Sequence, residues 1–411
     1  MPFRGRRCPP SALHLTLASS AGPFLDGYST ASAAFLASLL EGAGAWQVAL
    51  FTSLYLAGTV AGSLCMGAAA DRVGRRRPYL AAMAAVGVVC TLSALSASLG
   101  ALLLMRLLTG FLLCGDYPVG QAMVVEHLPE GKRERSLSFL MLAWYFGALS
   151  GVLVAIPVVD ALTQPEAFLW VEAAFAAFAL LLRFFIPESP LWSRSTREVS
   201  ERLPRERTSL GVLARDIARN RRVFVFCCAF WLCQTIPGTI MMLYSPAILH
   251  RLTGTTDAVP QMLLLYGCFL AGILPASSAW FARRLRAVLL WTFALMALGL
   301  AGVMLFAKTS PAATNLSFVV FALSYGLQST LDFVYPNVLF PAAARASLVG
   351  AVTAVSRLGA ALAAFVFPLL AEHFALEPLF CCGLVVLAAG FAAGWRGAPR
   401  NALERKAAQK P

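Results

Sequence analysis

The sequence predicts an all-α membrane protein with twelve transmembrane helices. The 411 residues are 59% hydrophobic and only 13% charged, with a mean hydropathy of +0.73, which excludes a chain that folds in water. Apolar segments of about 20 residues, the length needed to cross a bilayer, recur along the whole chain. Turn residues or short charged runs separate these segments.

Each predicted span is an apolar run bounded by a turn signal or by charge. The first span follows three arginines, and the last span precedes a basic tail. Boundaries fall where glycine, proline or charged residues interrupt the run. The twelve predicted spans cover residues 11–40, 46–70, 78–99, 101–125, 136–158, 165–186, 222–248, 258–282, 286–307, 313–338, 346–372 and 375–396.

One connection between spans is long and polar. It runs from Pro187 to Arg222 and carries nine arginines between Arg194 and Arg222, with several acids among them. Because this connection divides the spans into six and six, it predicts two six-helix halves. The predicted organisation is an N-terminal half over 1–186, a cytoplasmic linker over 187–221, a C-terminal half over 222–397 and a cytoplasmic tail over 398–411.

The basic residues predict the orientation, because loops rich in Lys and Arg stay on the cytoplasmic side. With both termini inside, 29 of the 33 Lys and Arg residues are cytoplasmic, and Arg183 is counted among them. Arg251 and Lys308 face outside, and Arg106 and Arg357 lie within spans. The net charge of +13 therefore reflects membrane topology, and we expect no nucleic-acid partner. The expected location is a plasma membrane or a bacterial inner membrane.

The residue pattern argues against an enzyme. The ten cysteines lie mostly inside apolar runs and show neither the spacing of zinc ligands nor that of a disulfide framework. The sequence contains no phosphate-binding glycine loop and no motif of a nucleophile with its base. We therefore expect no cofactor, no metal and no enzymatic activity, and a membrane enzyme is the least favoured alternative.

Several short motifs lie at or near the ends of the predicted spans. The loop between the second and third spans reads Gly67-Ala-Ala-Ala-Asp71-Arg72-Val-Gly74-Arg75-Arg76-Arg77. The fourth span carries Gly115-Asp116-Tyr117-Pro118, followed by Glu126 and Arg133. Pro187-Glu188-Ser189-Pro190 follows the sixth span, and Phe340-Pro341 with Arg345 ends the tenth. Over about residues 20–372, the chain resembles the major facilitator superfamily, in its branch of sugar porters, phosphate carriers and metabolite symporters.

The resemblance implies two pseudo-symmetric halves around a central cavity, with access alternating as one half rocks against the other. It implies that arginines of the signature loop, together with Arg133, pair with Glu126 and Glu188 as latches. These latches would form when the cavity opens outward and break when it opens inward. Asp71 would lie near a helix terminus of the other half. The implied gating residues are Gly67, Asp71, Arg72, Gly74, Arg75, Arg76, Glu126, Arg133, Glu188 and Arg345.

Two departures from the family pattern bear on this mechanism. In the C-terminal half, the loop between the eighth and ninth spans lacks the Asp of the signature, and Val338 stands where the family has Glu. We therefore predict a lopsided latch and a larger population of the inward-open state. In the first span, Asp26-Gly27-Tyr28-Ser29 resembles the Asp-Gly-x-Asp motif of aromatic-acid symporters, with Ser29 replacing the second Asp.

Charged residues inside apolar spans are costly and usually serve a pathway or a partner. At 1.5 Å per residue, Asp26 lies about 22 Å along the first span and Arg106 about 8 Å along the fourth, so both reach a similar depth. We expect Asp26 to be a proton or substrate site, a static partner of Arg106, or an interfacial residue. Asp116 is a candidate cavity acid or a helix-packing group. Arg357 is expected to be structural, and Asp332 has no family counterpart.

Polar and aromatic side chains in the spans indicate a cavity for a small solute. Gln234, Thr239, Tyr145 and Trp144 are candidate cavity walls, with ordinary helix packing as the alternative. The sequence thus predicts a secondary active transporter of a small polar or anionic organic solute, such as an organic acid, a sugar or a phosphate-like compound. Proton symport is the favoured energy source. The expected partners are the solute, protons and lipid around a monomer. The alternatives are an uncoupled facilitator, an antiporter or a non-transporting membrane sensor.

Overall fold

The computed structural model describes residues 11–38, 44–96, 98–161, 166–190, 210–254, 258–278, 280–281, 284–341 and 345–399. Over these ranges the chain is helical apart from short turns, and none of them contains a strand. Each long apolar run forms a helix because its backbone groups must bond within the segment in a lipid environment.

Six helices form the N-terminal half, one for each predicted span. They run antiparallel to one another in sequence order through short connections. Their bounds are α1 Ala12–Ser38, α2 Ala45–Val73, α3 Arg76–Ala94, α4 Leu99–His127, α5 Glu130–Ala161 and α6 Glu166–Phe184.

The C-terminal half follows a short linker helix, α7 (Leu210–Arg219), and supplies the remaining six spans. The tenth span is divided at Thr330 into two helices, α11 and α12. All twelve predicted spans are present, which confirms the expected architecture of two six-helix halves. The bounds are α8 Arg221–Thr253, α9 Ala258–Ile273 with a 3-10 turn at Leu274–Ser277, α10 Leu285–Phe306, α11 Pro311–Ser329, α12 Leu331–Leu339, α13 Arg345–His373 and α14 Leu376–Gly397.

Helix α1 is more polar than the other spans. Eleven spans in the described part of the chain are long and apolar enough to cross a membrane by composition alone, and α1 is not among them. The hydroxyl groups of Thr16, Ser20 and Ser32 donate to carbonyl oxygens of α1 itself, at 2.7, 2.7 and 3.2 Å. This internal bonding satisfies polar groups that packing against α4, α5 and α6 removes from lipid.

The bundle has one strongly basic end. We call it the basic end and define it by Arg75, Arg76, Arg284 and Arg286. The linker helix α7 contacts α8 and α13. The sequence predicted only a polar connection here, but α7 is amphipathic. Val212, Leu213 and Ile217 are half-buried, and Arg215 and Arg219 are exposed. Residues 191–209 of the linker lie outside the described ranges.

The two halves meet where α2 packs against α13 and α5 packs against α9. Toward the end opposite the basic end, the rings of Trp46 and Phe365 meet edge-on with centroids 5.1 Å apart. Six residues further along α2, the hydroxyl oxygens of Thr52 and Tyr244 are 2.8 Å apart. These contacts join the halves at the end away from the basic end.

Glycines allow the helices of the N-terminal half to approach closely. A side chain at Gly147 of α5 would overlap the backbone carbonyl of Phe24 in α1, and one at Gly27 would overlap that of Trp144. Glycine at these positions therefore brings α1 and α5 into backbone contact. This contact places the Trp144 indole within reach of Asp26, so helix packing and the charged site depend on the same residues.

We predict that Gly147→Ala destabilises the N-terminal half by about 1–3 kcal/mol, because the added methyl group forces two helix backbones apart. The matched control is Gly267→Ala on α9, where an added methyl group meets no atom within 4 Å. This control should leave stability unchanged or raise it by up to about 1 kcal/mol through better helix propensity. The thermal unfolding midpoints of the purified variants in detergent compare the two; equal midpoints would contradict the prediction.

Candidate substrate cavity and its charged residues

A small cavity of about 30 Å³ lies between the two halves. Helices α2 and α4 supply its walls on one side, and α8, α12 and α13 supply them on the other. The walls combine aromatic rings and small residues with a few polar and charged groups, which is typical of a small-solute site. The lining residues are Ser63, Tyr117, Pro118, Gln121, Trp231, Asp332, Phe333, Val349, Gly350, Thr353 and Arg357.

The Asp26 carboxylate is fully buried and accepts hydrogen bonds from three helices of its own half. Tyr117 Oη donates to Oδ2 at 2.8 Å and Trp144 Nε1 donates to the same oxygen at 2.7 Å. The Tyr55 hydroxyl donates to Oδ1. A buried carboxylate without such donors would be strongly destabilised, so this set of donors allows Asp26 to lie inside the half.

A fourth group at Asp26 comes from the C-terminal half. Arg357 Nη2 lies 3.4 Å from Asp26 Oδ2, and the Arg357 side chain is 21% exposed. Among the ion pairs of the described residues, this pair alone joins the two halves. Arg357 was expected to be structural, but it lines the cavity. The rotation of α13 about its own axis determines whether Arg357 faces the cavity, and this rotation cannot be deduced from residue spacing in the sequence.

The predicted ion pair between Asp26 and Arg106 is not formed. Arg106 Nη1 donates to Ser29 Oγ at 2.9 Å, and Nη2 donates to the Ser29 carbonyl oxygen at 3.1 Å. The guanidinium lies over the Tyr55 ring, 4.5 Å from its centroid. Ser29 is almost one turn beyond Asp26 on α1, so Arg106 meets the next turn. Residue counting thus placed Asp26 and Arg106 at the same depth to within one helical turn, but it did not give the direction that each side chain faces.

Glu172 of α6 is a buried acid that the sequence reasoning did not single out. Its side chain is almost fully buried and lies within electrostatic range of Arg106. Its Oε1 atom has no hydrogen-bond partner among the described residues. A glutamate in the middle of an apolar span is the signal that could have identified it. Glu172 supplies a negative charge near Arg106, where Ser29 supplies none.

Asp116 forms a fully buried ion pair with Arg183. The two guanidinium nitrogens each donate to one carboxylate oxygen at 2.6 Å, and both side chains are 0% exposed. Arg183 also donates to the carbonyl oxygens of Ala18 and Tyr79 at 3.1 and 3.0 Å. The pair therefore ties α4 and α6 to α1 and α3 within one half.

These contacts correct two expectations. Asp116 does not line the cavity between the halves, because its carboxylate faces Arg183 inside the N-terminal half. Arg183 does not belong with the exposed arginines of the central loop, because it is buried in the last turn of α6. Arg183 lies near the end of a span, where sequence position alone does not distinguish a loop charge from a buried one.

The signature loop turns sharply at Gly74. Its φ of +99° lies in the region that favours glycine, since a side chain would clash with the backbone. This turn directs the backbone N–H groups of Arg75 and Arg76 at Glu188 Oε1, at 2.8 and 3.1 Å. Glu188 thereby caps the start of α3, and the dipole of that helix favours a carboxylate there.

Arg75 also makes a side-chain contact at the basic end. Its Nη2 atom lies 3.3 Å from Glu126 Oε1, and the Ser189 hydroxyl donates to the same carboxylate. Arg75 thus pairs through its side chain with Glu126, as the resemblance implied, and binds Glu188 through its backbone N–H. Arg75 and Glu126 belong to the N-terminal half, and Glu188 to the start of the linker that follows α6, so these contacts do not reach the C-terminal half. The environment of Gly67 and the side chains of Asp71, Arg72, Arg133 and Arg345 lie outside the described residues.

The four predicted cavity walls have different surroundings. Trp144 binds Asp26. The Tyr145 hydroxyl donates to Ser329 Oγ of α11 at 2.9 Å, which is a further contact between the halves. Gln234 is fully buried, and neither of its amide atoms has a hydrogen-bond partner among the described residues. Thr239 is buried on the same helix, α8. None of the four lines the cavity between the halves.

Two six-helix halves that enclose a cavity with buried charges beside it define an integral, multi-pass membrane transporter. Residues 17–364 match the family model of the Major Facilitator Superfamily, and the chain belongs to this superfamily. The resemblance predicted from the motifs is thereby confirmed.

Two relatives from Escherichia coli strain K12 match most of the chain. YaaU, a proposed metabolite transport protein, is 29% identical over 91% of this chain and 89% of its own length. The inner membrane metabolite transport protein YgcS is 28% identical over 84% and 81%. Among solved structures, the proton:xylose symporter XylE of E. coli, bound to 6-bromo-6-deoxy-D-glucose, superimposes with a TM-score of 0.79. It is 18% identical and covers 97% of this chain and 99% of its own, which establishes the fold.

We predict that Asp116→Asn lowers the free energy of unfolding by about 3–5 kcal/mol, because it leaves the Arg183 guanidinium buried without a counter-charge. Replacing both partners, as in Asp116→Leu with Arg183→Met, should recover most of this loss. Unfolding midpoints in detergent measure the effect. Glu377→Gln is the control, since Glu377 forms an exposed pair with Lys308 and should not change the midpoint. An unchanged midpoint in Asp116→Asn would show that the buried pair is not structural.

Proposed function

We propose that this chain is a secondary active transporter that moves a small polar or anionic organic solute by alternating access. The observation that carries the proposal is the ion pair between Asp26 and Arg357, since its members come from opposite halves and meet beside the cavity. Any rocking of one half against the other changes this pair. Solute binding to either member would thus be coupled to the motion that changes access.

The distribution of contacts supports a cavity that faces the basic end. Contacts between Trp46 and Phe365 and between Thr52 and Tyr244 close the opposite end. The clustering of Lys and Arg supports a cytoplasmic basic end, with both termini on that side. An inward-facing arrangement agrees with the lopsided latch expected from the missing acids of the C-terminal half. The names of the E. coli relatives support a bacterial inner membrane as the location.

Arg357 supports an anionic or polar solute. Its guanidinium lines the cavity, and one of its five N–H donors contacts Asp26 at 3.4 Å. A guanidinium binds a carboxylate or phosphate by two parallel hydrogen bonds.

Asp26 is the proposed proton site. Three of its four contacts are neutral donors from its own half, and the fourth is the cation of Arg357. When the halves rearrange or an anion occupies Arg357, the buried carboxylate loses its counter-charge, and binding a proton relieves the resulting destabilisation. The similarity in fold to a proton:xylose symporter supports proton coupling.

An uncoupled facilitator or antiporter is the second candidate. The observation that favours it is the contact of Arg106 with Ser29, a neutral residue where related symporters carry an acid. In this candidate, Asp26 and Arg357 serve only as a gate between the halves. Transport would then follow the solute gradient and would not respond to a proton gradient.

We predict that Asp26→Asn abolishes concentrative uptake but retains counterflow, because exchange requires no net proton movement. A panel of organic acids, sugars and phosphate compounds first identifies a solute, since binding at about 100 times the dissociation constant adds about 2.7 kcal/mol to stability. Uptake of that labelled solute is then measured in proteoliposomes with and without a proton gradient. Glu377→Gln should transport as wild type does. Undiminished accumulation by Asp26→Asn, or accumulation indifferent to a protonophore, would favour the uncoupled candidate.

A further inference from the structure

Asp332 is a second buried carboxylate, and it forms no ion pair with any residue in the part of the chain that the structure describes. It lies on α12, directly after the interruption of the tenth span at Thr330, and it lines the cavity with 5% of its surface exposed. Its Oδ1 atom is buried and has no hydrogen-bond partner among the described residues. Because buried polar groups are almost always bonded, such an oxygen indicates a ligand or water in the cavity.

Arg357 lines the same cavity on the neighbouring helix α13. It lies within electrostatic range of Asp332, but its ion pair is with Asp26. The cavity thus presents an acid and a base of the C-terminal half that face one space without pairing. Burying two opposite charges without pairing them is unfavourable, so a group that contacts both would stabilise them.

Two uncharged amides accompany Asp332. Gln328 lies four residues before it, on the other side of the helix interruption, and Gln234 of α8 lies near its carboxylate. Both amides are fully buried, and both lack hydrogen-bond partners among the described residues. Unsatisfied groups therefore concentrate on the C-terminal side of the cavity.

We propose that Asp332 binds the positively charged nitrogen of a zwitterionic solute whose carboxylate binds Arg357. This assignment rests on the proposed transport function and narrows its solute to one class, a small zwitterion such as an amino acid or a betaine. Trp231, Phe333 and Tyr117 line the same space, and aromatic faces attract a cationic nitrogen.

Charge balance distinguishes this class from the others. A simple anion on Arg357 leaves Asp332 without a partner and adds repulsion from it. A simple cation on Asp332 leaves Arg357 shared with Asp26 alone and adds repulsion from that guanidinium. A zwitterion pairs with both groups at once. The cavity therefore favours it over an analogue that carries only the negative or only the positive charge. Asp332 carries this discrimination, because it is the unpaired member.

Two matched sets of compounds test the assignment. One contains 4-aminobutyrate, butyrate and butylamine; the other contains trigonelline, nicotinate and 1-methylnicotinamide. Dissociation constants come from unfolding-midpoint titrations of the purified full chain. Wild type should bind the zwitterion of at least one set at least tenfold more tightly than its anion and its cation. This comparison needs no variant and so does not depend on whether a substituted protein folds.

Asp332→Asn should weaken binding of that zwitterion at least tenfold and leave the matched anion bound as tightly as in wild type or more tightly. Asp332→Glu, which retains the charge, should keep the preference for the zwitterion. Glu377→Gln is the control for loss of an acid away from the cavity and should behave as wild type.

The possible outcomes separate this assignment from the proposed function. Wild type that binds no zwitterion of either set, or equal zwitterion affinity in wild type and Asp332→Asn, overturns the assignment. If that wild type still accumulates one of the anions in proteoliposomes, the transport proposal stands. Zwitterion binding with the expected Asp332→Asn effect supports the assignment even when no solute crosses the membrane, and in that case the transport proposal fails.

Discussion

The Asp26 carboxylate receives hydrogen bonds from α2, α4 and α5 and one ionic contact from α13 of the opposite half. A buried charge in a membrane protein requires this kind of support, because neither lipid nor a dry interior stabilises it. The close approach of α1 and α5 at Gly27 and Gly147 makes the Trp144 contact possible. The helix packing of the N-terminal half and the contact between the halves therefore depend on the same carboxylate.

Asp26 and Asp116 are both buried aspartates, but their different partners give them different roles. Asp116 is paired with Arg183 at 2.6 Å inside one half, where relative motion of the halves leaves it unchanged. Asp26 is paired with Arg357 at 3.4 Å across the two halves, where the partner can leave. Short, fully buried pairs hold a structure together, since breaking them leaves an uncompensated charge. Longer, partly exposed pairs at a moving interface are suited to exchange with a solute or a proton.

The motifs of the sequence identified the family but not the geometry of its charges. The signature loop, Glu126 and Glu188 were recognised, and the contacts of Arg75 with both acids are present. These contacts brace one half and do not join the two halves. The alternative in which Asp26 pairs with Arg106 missed by almost one helical turn, because residue counts estimate depth but not the direction a side chain faces. Glu172 was missed although an acid in an apolar span marks it.

The sequence by itself determined the twelve spans, their division into six and six, and the superfamily, because hydropathy and local motifs are properties of neighbouring residues along the chain. Only the tertiary structure decided which charges meet. The rotation of each helix about its axis and the interruption of the tenth span at Thr330 bring Asp332 and Arg357 to one cavity. Rotation is set by packing between helices distant in sequence, and no local pattern encodes it.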